Sequence, residues 1–281
     1  MCELLGMSAN VPTDICFSFT GLIQRGGNTG PHRDGWGITF YEGKGFRTFK
    51  DPNPSCQSKI AQLVQNYPIK SCAVVSHIRQ ANRGQVNLEN THPFTRELWG
   101  RYWTFAHNGQ LSDYEGKLNS GRFRPVGQTD SELTFCWLLH RLEERYPETP
   151  TDMNEAFAYI AQCCDELRQF GVFNMLLSDG EYVVTYCTNH LYWITRRAPF
   201  GKASLIDEDV TIDFQQETTP NDVVSVVATQ PLTDNESWHR MKPGEYSVFH
   251  CGELTLGNAE QLVDVAFAAP KPASQAPTEA L

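Results

Sequence analysis

The sequence contains no stretch of about 18 consecutive apolar residues, the minimum for a helix that crosses a bilayer. No basic segment followed by an apolar run opens it, as a secretory signal would. A cytoplasmic protein without membrane contact is the expectation. Basic runs interleaved with aromatic residues are also missing, and 33 acidic residues outnumber 23 basic ones for a net charge of −10. That balance repels phosphate backbones and anionic lipids, so no nucleic acid and no membrane is expected as a partner. The nine cysteines are odd in number and scattered, with no C-x-x-C pair and no histidine cluster at zinc spacing. This pattern argues against a disulfide scaffold and a structural metal; neither metal nor cofactor is expected. There is no internal repeat and no linker.

What is present is enough apolar bulk, 40% of 281 residues, for a large core. Apolar periodicity predicts a strand from Cys2 to Met7, then a helix through Ile15–Ile23 capped by Thr13. A Gly-rich segment, Arg25 to Pro31, leads to a strand over Asp34–Tyr41 and a hairpin partner over Phe46–Phe49. Ser55–Asn66 reads as a helix with Ile60, Leu63 and Val64 on one face, followed by a β-branched strand that ends at Arg79. Tyr102–Ala106 reads as a strand ending at His107-Asn108-Gly109. Two helices follow, one opened by Thr129-Asp130-Ser131-Glu132 and one over Thr151–Phe170. The pattern then returns to strands at Val172–Leu177, Tyr182–Cys187, Leu191–Thr195, Val223–Thr229 and Tyr246–Phe249. Strands, helices and strands in blocks indicate segregated α+β layers rather than a parallel doubly wound sheet. Residues 268–281 are rich in Pro and Ala and poor in apolar bulk, which predicts a disordered tail.

Chemistry enters at the second residue. Removal of Met1 would leave Cys2 with a free α-amino group beside its own thiol, a nucleophile and a base on one residue. The structural alternative is a small apolar residue opening a buried strand. Each other candidate also has a bland reading. Arg79 at a strand end is either a snorkelling cation or an anion ligand. Asn108-Gly109 is either a type I′ hairpin turn or a pair of oxyanion donors. Thr129 or Asp130 with Glu132 reads as a helix cap. His92 reads as a structural loop histidine or a shaper of the pocket. Trp36, flanked by glycines, is placed in the pocket wall, and Cys163 and Cys164 are read as one buried and one exposed position. Taken together, the set fits attack of a thiol on the side-chain amide of a glutamine-like molecule. Cys2 supplies the sulfur and the base, Asn108 and Gly109 the oxyanion donors, Arg79 the clamp for the α-carboxylate and Asp130 the partner of the α-ammonium.

In the order Met1-Cys2, His77-Ile78-Arg79 with Gly84, His107-Asn108-Gly109 and Thr129-Asp130-Ser131-Glu132, the chain resembles the class II glutamine amidotransferases, members of the N-terminal nucleophile hydrolases. The resemblance extends over residues 2–255. It implies a four-layer αββα sandwich of two largely antiparallel sheets between helices, a thioester on Cys2, and a substrate pocket including Arg79, Asn82, Thr129 and Asp130. Where better-known members carry an aromatic or small residue and then Thr-His, this chain has Gln80-Ala81-Asn82-Arg83-Gly84. No large acceptor domain follows the amidotransferase domain. The resemblance therefore implies either a separate protein subunit that accepts ammonia or a plain hydrolase.

The leading expectation is hydrolysis of glutamine, or of another γ-glutamyl amide, to glutamate and ammonia or an amine. A γ-glutamyl peptide or thiol-compound amidase fits the same chemistry, with Asn82 and Arg83 beside a longer leaving group. From another class, a non-catalytic γ-glutamyl-binding regulatory subunit would keep Arg79 and Asp130 without needing a processed N-terminus. A thiol redox sensor built on Cys2 gives no reason for Asn108-Gly109 or Asp130.

Overall fold

The structure, a computed structural model, describes residues 2–214, 219–258 and 264–265. The predicted tail over 268–281 lies outside them. In chain order the elements are β1 (Glu3–Thr13), α1 (Cys16–Gln24), β2 (Trp36–Glu42), β3 (Gly45–Asp51), α2 (Lys59–Asn66), β4 (Ser71–Ile78), β5 (Phe94–Leu98) and β6 (Arg101–Leu111). There follow α3 (Asp130–Arg145), α4 (Met153–Leu167), β7 (Gly171–Ser178), β8 (Tyr182–Cys187), β9 (Tyr192–Arg197), β10 (Lys202–Ser204) and β11 (Thr211–Asp213). The last are β12 (Val223–Ala228), β13 (Trp238–Arg240), β14 (Glu245–His250), β15 (Glu253–Gly257) and β16 (Asp264–Val265).

Two large antiparallel sheets result, one in the order β16-β13-β9-β12-β1-β4-β2-β3 and the other β15-β14-β8-β7-β6-β5, and β10 and β11 form a separate two-stranded sheet. Alternation of side chains along each strand divides the apolar residues into three layers. Leu5, Met7, Val74 and Ile78 face outward from the first sheet onto Phe19, Leu22, Ala61 and Val64 of α1 and α2. Phe105, Phe173, Met175 and Val184 face outward from the second sheet onto Phe135, Leu139, Phe157 and Ile160 of α3 and α4. Leu4, Ala73, Val75, Ala106, Leu176 and Val183 fill the space between the sheets. A helix layer therefore covers each outer face, which is the αββα sandwich.

Several local expectations are corrected. Thr13 does not cap α1; it ends β1, and Asp14 Oδ1 instead accepts from Cys16 N at 3.1 Å. The predicted helix over 55–66 is a short 3-10 turn followed by α2, which Ser58 caps by accepting from Ala61 N. Ala61 and Val64 are its buried residues, whereas Leu63 is 59% exposed, because the face that packs on α1 is one residue away from the one predicted. Trp36 is not in a pocket wall: it is fully buried against Phe19, with ring centroids 5.7 Å apart. Cys163 and Cys164 are both buried, since α4 is enclosed between α3 and the second sheet at that point. Asn108-Gly109 is not a hairpin turn; β6 runs straight through it to Leu111. No helix among the described residues is long and apolar enough to cross a membrane.

Candidate active site

β1 is a central strand of the first sheet, paired to β4 with Glu3 opposite Ile78 and Leu4 opposite His77. This register carries Cys2, just before β1, to the end of β4 where Arg79 follows. Gln80 N donates to Cys2 Sγ at 3.3 Å, and the thiol lies 3.5 Å from Gln80 O. Burial pushes the Cys2 thiol up to about 11, while the Gln80 N–H and the Arg79 charge pull against it. At neutral pH the sulfur is therefore a thiol, and a nucleophilic role would require its proton to leave.

Across the inter-sheet space, β6 supplies the second wall. Phe173, opposite Gly109, donates its N–H to Thr188 Oγ1 on the β8 side, and Leu111 N donates to Asp130 Oδ2 at 2.8 Å. Backbone groups of an antiparallel strand point alternately to its two neighbours, so the Gly109 N–H points away from β7. On that side β5 has already ended, since its pairing stops at Phe94 opposite Phe105. The Gly109 N–H thus faces the cleft. A Cβ here would lie 1.8 Å from Val172 O and 2.5 Å from His107 Nε2, so only glycine fits.

The third wall is the N-terminus of α3. Thr129 caps it by accepting from Glu132 N at 3.2 Å, which leaves Asp130 as the first helical residue, where the helix dipole favours a carboxylate. Glu132 accepts from Arg96 at 2.5 Å and from the N–H groups of Val126 and Gly127, fixing the loop that leads into the helix.

One cleft is lined by Cys2, Arg79, Asn82, Gly109, Thr129 and Asp130, six of the seven site residues expected from the sequence. Asn108 lies one residue behind, wholly buried, with Nδ2 3.5 Å from Thr229 Oγ1 and Oδ1 without a hydrogen-bond partner. The Arg79 guanidinium bonds the carbonyls of Arg83, Gly84 and Gln85, so it holds the loop beside the cleft as well as reaching it. Arg83 is tied to Tyr114 and Glu115. Asn82 is exposed at the rim.

Residues outside the candidate set hold these in place; the sequence reading gives Thr229, Asn174 and Ser131 no role, whereas His77 and His107 belong to its motifs and His92 is a candidate shaper of the pocket. Thr229 Oγ1 accepts from Leu4 N at 2.8 Å, linking β1 to Asn108. His107 lies between Val172 O at 3.1 Å and Ser131 Oγ at 2.9 Å. Because a carbonyl only accepts, the imidazole proton sits on Nε2 and Nδ1 accepts from the Ser131 hydroxyl. His77 Nε2 donates to His107 O at 3.1 Å and its ring stacks on His92, with centroids 4.1 Å apart. Burial holds all three imidazoles below the ordinary histidine range, His77 and His92 well below it. His92 is a cleft-lining residue as well as a packing one. Thr229 and Asn174, described below, lie 121 and 66 residues from Asn108, with no local motif to mark them. Ser131 had a signal in its place beside Asp130. No group of three or more metal-binding side chains occurs among the described residues.

Comparison with known proteins gives a family and a fold. The family described as glutamine amidotransferases class-II matches residues 1–273. The chain is 73% identical over 256 residues to YafJ of Escherichia coli strain K12, a proposed glutamine amidotransferase, covering 91% of this chain and all of that one. A 2.0 Å crystal structure of a predicted glutamine amidotransferase from Pseudomonas aeruginosa is 54% identical, with a TM-score of 0.74 over 91% of this chain and all of that one. The fold alone is shared with a glutamine phosphoribosylpyrophosphate amidotransferase from B. subtilis, 14% identical with a TM-score of 0.57 over 96% of this chain and half of that one.

Proposed function

Because the chain belongs to the class II glutamine amidotransferases, we propose that it hydrolyses the side-chain amide of glutamine through a glutamyl thioester on Cys2. Met1 is removed first, which frees the Cys2 amine. That amine, with an ordinary value of about 7.7–8.0, takes the thiol proton as sulfur attacks the amide carbon. The carbonyl π electrons move onto oxygen, which the Gly109 N–H and the Asn108 amide stabilise; each well-aimed donor contributes about 10² to 10³ in rate. For Asn108 to donate, Nδ2 turns to the oxyanion and Oδ1 to Thr229. The Thr229 hydroxyl already accepts from Leu4 N and still has its own proton to give. Collapse breaks the C–N bond, and the ammonium on the Cys2 amine returns the proton to the leaving nitrogen. Water then attacks the thioester, releases glutamate and restores the thiol. Ammonia leaves to solvent or to an accepting protein subunit.

Arg79 holds the substrate α-carboxylate and Asp130 the α-ammonium, with Thr129 and Asn82 at the rim. The single observation that carries the reading is that Cys2, Gly109, Arg79 and Asp130, drawn from four separate parts of the chain, line one cleft. The test is intact-mass spectrometry before and after 6-diazo-5-oxonorleucine, with peptide mapping, beside a glutamate-release assay. Loss of the Met1 mass, one adduct on Cys2 and glutamate release are expected. Retained Met1 with an unmodified Cys2 would overturn the reading in favour of a non-catalytic binding subunit.

A further inference from the structure

The oxyanion donor Gly109 N–H and the Asn108 carbonyl belong to one planar peptide unit, so whatever fixes the carbonyl also aims the N–H. The carbonyl faces β7, where Asn108 pairs with Asn174, and it accepts from the Asn174 side-chain Nδ2 at 3.0 Å. Asn174 is wholly buried in β7, flanked by the apolar residues Phe173, Met175, Leu176 and Leu177. Asparagine is a poor strand former, and a buried amide is costly unless every atom is paired.

Here every atom is paired. Nδ2 gives its second proton to Asn189 Oδ1 at 2.7 Å, and Oδ1 accepts from Thr188 N at 2.9 Å and Asn189 N at 3.2 Å. Two backbone donors aimed at one end of the amide leave no freedom in its orientation: that end is oxygen, so the end at Asn108 is nitrogen.

On this basis we propose that Asn174 is a positioning residue for the oxyanion site, a role that rests on the hydrolytic reading of Cys2. It locks the Asn108–Gly109 peptide through the carbonyl. Rotation that swung the Gly109 N–H away from the developing negative charge would break the Asn174 bond. The added donor also polarises the peptide and makes the opposite N–H a stronger donor. Thr188 and Asn189, just after β8, are the brace that holds Asn174 at the required angle.

Asn174→Asp retains the acceptor contacts with Thr188 and Asn189 and removes the donors, and Asn174→Ser removes the amide with little bulk. Either variant, verified as folded by near-ultraviolet circular dichroism, suffices. The expected result is a fall in kcat of about 10- to 100-fold, less than deletion of a donor itself would give. KM for glutamine and the inhibition constant of glutamate should stay within about threefold. Inhibition by glutamate γ-semialdehyde, whose thiol adduct carries an oxygen in the same place as the oxyanion, should weaken in step with kcat. Folded variants that keep kcat within twofold would overturn the proposal, as would equal losses in glutamate affinity and kcat, the signature of general damage. If the unsubstituted protein is inert to both glutamine and 6-diazo-5-oxonorleucine, the hydrolytic reading fails and this role with it. If it is active and the variants match it, only this role fails.

Discussion

Ser131 Oγ lies 2.9 Å from His107 Nδ1, and this hydrogen bond, with that of Leu111 N to Asp130 Oδ2, ties the start of α3 to the strand that carries Asn108 and Gly109. His107 is enclosed, with its other nitrogen on Val172 O, so its ring cannot turn to find a second partner. The residue beside Asp130 is thereby fixed to the residue two before Gly109, which sets the distance between the proposed ammonium and oxyanion ends of the substrate.

Ser131→Ala should therefore cost about 1–3 kcal/mol, because it strands a buried acceptor on His107. The accompanying drift of Asp130 should raise KM for glutamine more than it lowers kcat. Urea denaturation and steady-state kinetics on the same preparation would check both; an unchanged midpoint would show that the bond contributes nothing.

Gly109→Ala should fail more completely. Its Cβ has no room beside Val172 O, a backbone atom that cannot rotate aside, so β6 must separate from β7 at that point. A loss of about 3 kcal/mol or more and no measurable turnover are expected, read from soluble yield, thermal midpoint and activity.

Asp130→Asn separates charge from architecture. The carboxamide oxygen can still accept the Leu111 N–H, so the strand and helix should stay joined. Loss of the charge should raise KM for glutamine about 10- to 100-fold, the worth of a charge-assisted hydrogen bond. A change in stability without a change in KM would assign Asp130 a purely structural part.

Stability should fall in mild acid. His77, His92 and His107 are held neutral by burial, with protonation points below their unfolded value of about 6.5. Below that pH the unfolded chain binds protons that the folded chain refuses, so unfolding becomes easier as pH drops from about 6.5 toward the depressed folded values, and the contribution is fully present above about 7. Each histidine adds up to about 1.4 kcal/mol per pH unit within this window. Denaturant midpoints between pH 8 and 5 measure the slope, and His92→Phe, which retains an aromatic ring against His77, should reduce it by about one proton.

Local pattern determined much of this protein: the apolar runs of β1, β4 and β7, the cap at Thr129, and the candidacy of Cys2, Arg79, Gly109 and Asp130 all follow from short-range chemistry. It did not determine which face of α2 is buried, because Ile60 and Leu63 are as apolar as Ala61 and Val64 and only packing against α1 chooses between them. Nor could it tell an Asn-Gly turn from an Asn-Gly inside a strand. That choice was decided by β7, which supplies eight register partners along β6 and carries it past the turn signal. The supports of the site, Thr229 behind Asn108, Asn174 on its carbonyl and Ser131 on His107, join residues 24 to 121 positions apart. Hydrogen bonds of that span leave no periodicity in a sequence; they exist only once two sheets and a helix have met.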